Sequence, residues 1–488
     1  MRCLHNVFSL CSPISIYHLS QNDVSHPINF WFLHPLAYIC FYKFQKYFFM
    51  KKWMLSLSAI AAFTSSVFAG GNIKFSEYDL PNGLHVILHE DHTTPSVVVS
   101  VLYHVGSKNE DPQRTGFAHF FEHLMFEGSD NIKRGEYMKL VESNGGVLNA
   151  NTSWDRTYYF QQMPSNQLEL ALWMEAERMA HLNVDSTGIE TQRKVVKEEK
   201  KMRYENTPYG HLIEQVCAGS FKVHPYRWTP IGEAQYIDQA KYGEFMDFYK
   251  LFYVPNNATL TIAGDFTPAQ AKAFVEKYYG YIPKGTQAIP RPSEKEPKWT
   301  AEERKTYYDK VQLPGVIFSY HTPEQGTTDA YALEMLGNVL SNGKSSRLQK
   351  VIVDEKQMAV QAGAFPMPME DPGITMMYGI ANQGVSEVDL ETAMDEVVNE
   401  VVKNGITDEE LQKVKNQIEN GFVNQNARLM GVAENLANYH VYFQNTDLIN
   451  TELDRYMKVT KADIARVAQQ YLKKENRLVL YYLPKKEN

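Results

Sequence analysis

Residues 119 to 123 read His-Phe-Phe-Glu-His. Positions four apart lie on one face of a helix. The spacing predicts that His119 and His123 present two imidazoles to one divalent ion, and zinc suits such donors. Glu122 lies beside the pair, where a carboxylate can take a proton from water. The run from Gly116 to Phe126 is apolar apart from these three side chains. Buried polar groups are costly unless they find partners. A bound cation is one such partner, and the competing reading is a pair of core histidines satisfied by their neighbours.

Two histidines do not complete a catalytic zinc site, which takes three protein ligands and keeps a fourth position open. The stretch Thr187 to Asn206 reads as a helix. Gln192, Val195, Val196, Glu199, Met202 and Arg203 form a stripe along it. Glu199 lies on that partly apolar stripe, whereas Glu198 shares a face with Lys194, Lys201 and Glu205. Periodicity therefore prefers Glu199 as the inward carboxylate. The competing role for Glu199 is a core-edge partner of Arg203 at i+4.

The order His-x-x-Glu-His reverses the commoner His-Glu-x-x-His of zinc proteases and is the inverzincin pattern. With Glu199 following 76 residues after His123, the chain resembles the pitrilysin/insulinase family of zinc peptidases, which includes the mitochondrial processing peptidases. Further similar stretches are Leu80-Pro81-Asn82-Gly83-Leu84, Gly145-Gly146 to Asn149-Ala150, Asp155-Arg156-Thr157, His224-Pro225-Tyr226 and Tyr253 to Asp265. The resemblance spans residues 74 to 485 and is strongest in the first half.

It implies one Zn2+ per chain held by His119, His123 and Glu199, with Glu122 as catalytic base of an endopeptidase. It also implies an α+β fold of two related domains. Each would be a mostly antiparallel sheet packed with helices, the two enclosing a chamber that favours unfolded peptides over folded proteins. Substrate is expected to add as a strand near Asn149, Ala150 and Asn151, and the competing reading there is an ordinary turn entering a strand. The alternative to an enzyme is a non-catalytic binding or assembly subunit of a two-chain complex, which would have no use for Glu122.

Two positions depart from the family pattern. Many relatives carry a second glutamate seven residues before the ligand, where this chain has Gln192. The amide keeps a supporting hydrogen bond but no charge. Active single-chain relatives also offer an Arg and a Tyr from the second half to the substrate carbonyl. Here the Tyr position holds Val360 and the Arg position holds Val353 or Asp354, while Arg347 fits a packing role better. A dimer is expected, with a homologous partner chain supplying the Arg and Tyr.

Composition sets the remaining bounds. A chain of 488 residues exceeds one core and predicts two domains. Met50-Lys51-Lys52, the apolar run Met54 to Phe63 and Val67-Phe68-Ala69 read as a secretory signal peptide over residues 50–69. The product is expected to be exported, periplasmic or secreted. Residues 1–49 read as a mis-assigned upstream extension. Removing residues 1–69 takes away five basic groups and one acidic group, so the net charge moves from −8 to −12. An acidic chain argues against nucleic acid as partner. Only Cys217 remains of four cysteines, so no internal disulfide forms. No later apolar run is long enough for stable membrane insertion.

The rest divides into a zinc-binding catalytic domain (70–288), a Pro- and charge-rich linker (289–303) and a second homologous domain without a metal site (304–488). Strands are expected at His85–Leu88, Ser96–Leu102, Thr157–Gln162 and Ala258–Ala263. Their counterparts are Val316–Tyr320, Ile374–Ala381 and Leu478–Tyr482, with helices between them.

Overall fold

Strand β3 (Ser96–Tyr103) is apolar at nearly every position and buried along almost its whole length. An antiparallel strand with one wet face would alternate, so both faces of this one must be covered. The computed structural model describes residues 72–292 and 294–485. The expected upstream extension and signal peptide lie outside the described residues. From Asn72 onward the chain forms one compact unit built on two sheets.

The first sheet holds β1 (Ser76–Asp79), β2 (His85–Glu90), β3, β4 (Val147–Thr152), β5 (Thr157–Pro164) and β6 (Ala258–Gly264), in the order β1-β2-β6-β3-β5-β4. The second holds β7 (Glu303–Asp309), β8 (Gly315–His321), β9 (Ala359–Met367), β10 (Ile374–Ala381) and β11 (Arg477–Pro484), in the order β7-β11-β8-β10-β9. In each sheet one parallel pair, β2 with β6 and β7 with β11, joins otherwise antiparallel ladders. Laying β2-β6-β3-β5-β4 over β7-β11-β8-β10-β9 matches order and direction throughout. The expected duplication is therefore present, and β4 and β9 are equivalent edges.

Four helices bear on the site and on the cover of the two sheets: α1 (Phe117–Leu124), α2 (Ser186–Lys200), α3 (Leu212–Ser220) and α4 (Leu429–Phe443). The two halves exchange cover. Val97, Val99, Val101 and Tyr103 point into the core under the helices of the first half. On the other face, Val98 meets Ala433 and Leu102 meets Ala437, both from α4 in the second half. Ile87 packs there with Val432 and Leu436. In return α3, from the first half, covers the second sheet, with Val216 clustered with Ile317, Leu478 and Leu480. Gly219 permits this approach, since a Cβ there would stand 2.6 Å from Leu478 Cδ2.

The connecting stretch has neither helix nor strand among its described residues until Glu303 opens β7, yet it is pinned. Glu296 accepts three successive backbone N–H groups, from Lys222, Val223 and His224, at 2.8, 3.0 and 3.0 Å. Arg291 donates to Asn257 Oδ1 at 2.7 Å.

Candidate metal centre

Helix α1 begins at Gly116, whose φ of 96° is a left-handed conformation that suits glycine. A side chain there would also meet Ile231 O at 2.9 Å. The free N–H groups of the first turn are met by a buried carboxylate from the preceding loop. Glu110 accepts from Gly116 N at 2.9 Å and Ala118 N at 2.8 Å. Burial nevertheless pushes its carboxyl up to about 8. Phe117, Phe120 and Phe121 stack on Phe245 and Phe248, with ring centroids 4.9 to 5.3 Å apart in the stacked pairs. With its aromatic face committed to the core, α1 turns His119, Glu122 and His123 the other way.

Helix α2 supplies the third group. Asp185 caps it by accepting from Gly188 N at 2.7 Å, and a π-helical turn, Lys201–Glu205, follows its last residue. Glu199 faces α1. Its Oε2 lies 3.7 Å from His119 Nε2 and 3.2 Å from His123 Nε2. Its Oε1 lies 2.7 Å from Arg203 Nη1. Glu199 thus turns one oxygen to the two imidazoles and the other to Arg203. Glu198 is exposed as expected. Val195 and Met202, placed on the inward stripe by periodicity, are instead exposed. Of the stripe only Val196 is buried, with Gln192 and Glu199 half-buried.

Burial, with the charge of His123 adding to it, pushes His119 down to about 3, so its imidazole is neutral at pH 7. Burial alone would raise Glu199. The hydrogen bond with His123 and the charges of His119 and Arg203 outweigh it and hold the carboxyl down to about 2. Tetrahedral zinc with bonds of ~2.0–2.1 Å sets its ligand atoms ~3.3 Å apart. The observed spacings and the donor set of two imidazoles and one carboxylate fit such an ion. The His119 Nδ1 atom is buried with no hydrogen-bond partner among the described residues.

Glu122 is half-buried, and burial raises its carboxyl above the usual range. Thr152 opposes that rise, donating its hydroxyl to Glu122 Oε2 at 2.6 Å. Thr152 ends β4, the open edge of the first sheet, so this bond ties the edge strand to α1. Asn149 and Asn151 are exposed on β4 and Ala150 is half-buried. Ala150 N–H is taken by the neighbouring Asn149 Oδ1 at 2.9 Å.

Gln192 lies on α2 and donates to Glu127 Oε1 at 2.5 Å, just beyond the end of α1. Glu127 is buried and also accepts from Arg134 Nε at 2.5 Å. A glutamate at 192 would face this carboxylate, which gives the departure at 192 a local reason. Arg347 pairs with Glu410 at 2.7 Å and with Glu400, and it donates to Gly405 O at 2.9 Å. It is a packing residue, as its sequence context suggested. Val360 is exposed on β9. Sequence reasoning missed Glu110, Thr152 as a partner of Glu122, and Glu127. Each is a contact between elements, and only the apolar helix start after Gly116 hinted that a cap must come from elsewhere.

The sequence profile described as "Insulinase (Peptidase family M16)" matches residues 85–229, and "Peptidase M16 inactive domain" matches residues 240–418. The chain is 32% identical to the zinc protease PqqE of Helicobacter pylori over 447 residues, covering 90% of this chain and 100% of that one. The crystal structure of a protease from Helicobacter pylori superposes with a TM-score of 0.81 at 31% identity, over 85% of this chain and 100% of the other. The beta subunit of the mitochondrial-processing peptidase of Saccharomyces cerevisiae is 25% identical over 363 residues, 70% of this chain and 76% of that one. The chain belongs to the insulinase family of peptidases, family M16.

Proposed function

We propose that this chain is a zinc-dependent endopeptidase that cleaves unfolded peptides or small proteins. The observation that carries the reading is the convergence of one ligand atom each from His119, His123 and Glu199 within 4.8 Å of one another, with Glu122 next to His123 on the same helix. When bound, zinc polarises the scissile carbonyl and lowers the pKa of its water to about 7. His119, His123 and Glu199 would hold the ion. Glu122, with its proton affinity raised by burial, takes a proton from the attacking water and passes it to the leaving amine. Thr152 fixes the carboxylate for that transfer.

Substrate lies as an added strand along the open edge of β4, contacting Asn149, Ala150 and Asn151. Its entry displaces the Asn149 side chain from Ala150 N–H. The strand then runs toward Thr152 and so toward Glu122. Gln192 supports the site by bracing α2 against the end of α1.

With Val360 at the family's Tyr position, an electrophilic Arg and Tyr are supplied by a homologous partner chain in a dimer. Export to the periplasm or beyond rests on the segment from Met50 to Ala69. No helix among the described residues is long and apolar enough to cross a membrane. A second reading, a non-catalytic subunit, draws on the missing Arg and Tyr and on the match of the second half to an inactive domain.

The deciding test is chelator-sensitive digestion of an unfolded peptide library by wild type and by Glu122→Gln. The variant is expected to keep zinc and to lose cleavage by about 10²–10⁴-fold. Wild-type cleavage by the variant defeats the mechanism. Full activity from the purified lone chain removes the partner. If neither form cleaves, alone or with a homologous partner chain, the subunit reading stands.

A further inference from the structure

A second group of nitrogen and oxygen donors lies away from the α1–α2 centre, where the β1–β2 hairpin meets α4. Glu77 and Asp79 on β1 and His85 on β2 come from the first half, and His440 comes from α4 in the second. One donor atom from each of Glu77, His85 and His440 lies within 4.8 Å of the others. Glu77 Oε2 and His85 Nε2 are 3.3 Å apart. That matches the ~3.3 Å edge expected between ligand atoms of a tetrahedral ion with bonds of ~2.0–2.1 Å.

Around this triad the remaining groups orient rather than compete. Asp79 Oδ1 lies 2.8 Å from His85 Nδ1. With Nδ1–H donating to Asp79, the Nε2 lone pair faces Glu77, the carboxylate–histidine arrangement that orients ligating imidazoles. Thr446, just after α4, donates its hydroxyl to Glu77 Oε2 at 2.6 Å. The ring of His440 lies parallel to that of His85, with centroids 3.4 Å apart and planes 5° apart. Neither ring nitrogen of His440 has a hydrogen-bond partner among the described residues. His85 is held by two carboxylates and His440 by none, so an ion shared with Glu77 would require His440 to turn out of this stack.

We propose that Glu77, His85 and His440 form a second site for a divalent transition-metal ion, of the zinc, cobalt or nickel type. Two imidazoles and one carboxylate select such ions over calcium or magnesium, which take oxygen ligands. Its role is structural. It staples the edge of the first sheet to α4, and an ion that binds only the folded chain stabilises it. The rival occupant is a proton, with His85 as an imidazolium between Asp79 and Glu77.

The test uses the full chain, stripped with chelator, dialysed against Zn2+ and assayed for bound zinc. Wild type is expected to hold two ions. His440→Ala and the double variant His119→Ala/His123→Ala are each expected to hold one. The proposal is overturned if the double variant holds none, or if His440→Ala binds as many ions as wild type. Should His440→Ala fold poorly, Glu77→Gln in the double-variant background gives the same decision by melting. Zinc raises the Tm of the double variant and no longer does so once Glu77 is replaced. A double variant whose Tm ignores zinc marks the proton as the occupant.

Discussion

Thr152→Val is the sharpest probe of the proposed base. Valine matches threonine in shape, so β4 and its edge should be kept while one hydroxyl is lost. That hydroxyl donates to Glu122 Oε2 at 2.6 Å. Hydrogen bonds to charged groups contribute about 1.5–3 kcal/mol. If that contribution holds the carboxylate in its transferring position, its loss lowers kcat by about 10- to 100-fold, at roughly 1.4 kcal/mol per factor of ten. His119, His123 and Glu199 are untouched, so zinc content should stay at the wild-type level. The assay is steady-state cleavage of an unfolded fluorogenic peptide, with zinc quantified in parallel. Thr152→Ser keeps the hydroxyl and should recover most of the rate. A valine variant with the wild-type kcat refutes the positioning role. So does a serine variant as slow as valine, which would point to lost packing instead.

Three further substitutions probe contacts elsewhere in the fold. Leu436→Ala empties a fully buried position between α4 and the first sheet. It should cost about 2–5 kcal/mol in urea unfolding. A loss below about 1 kcal/mol would mean that α4 adds little cover. Gln192→Glu sets a carboxylate against Glu127 and should lower the Tm in proportion to a penalty of about 1–3 kcal/mol. An unchanged Tm would show that the bond to Glu127 is dispensable. Glu334 is half-buried, accepts from Tyr456 Oη at 2.8 Å, and is pushed up to about 7, first by burial. When folded it stays neutral until the pH nears 7, whereas it ionises near 4.5 when unfolded. The stability it confers is therefore complete below pH ~4.5 and is lost by pH ~7, on the order of 3 kcal/mol. Glu334→Gln should melt higher than wild type at pH 8 and alike at pH 4.5. A constant difference across that range would contradict the assignment.

Much of this architecture can be read from the chain itself, and the omissions share a cause. The i, i+4 histidines and the stripe carrying Glu199 reported local periodicity, and the fold brings those three side chains together. Strands such as Ser96–Tyr103 are visible because β-branched residues crowd them. Strand β9 escapes notice because Ala359 to Met367 holds only one β-branched residue, Val360, and a proline at 366. Helix α4 is hard to separate by pattern although its apolar stripe is regular, because Leu429–Phe443 follows closely on the helix Asp408–Asn426. The clue lay in β3. Seven consecutive buried residues require cover on two faces, and a sequence divided at the connecting stretch supplies only one. Thr152 and Glu127 act through contacts between distant segments, and Glu110 through a loop that folds back on the start of α1, none of which periodicity encodes.

The exchange of α3 and α4 makes the connecting stretch a poor place to divide the protein. Production of residues 72–288 alone would leave the α4-facing side of the first sheet bare, and α3 would present apolar residues to water. Such a fragment should be insoluble rather than a miniature enzyme. A nick between Ile289 and Ala301 in the intact protein, by contrast, should go unnoticed in solution, because each piece remains clasped by the other.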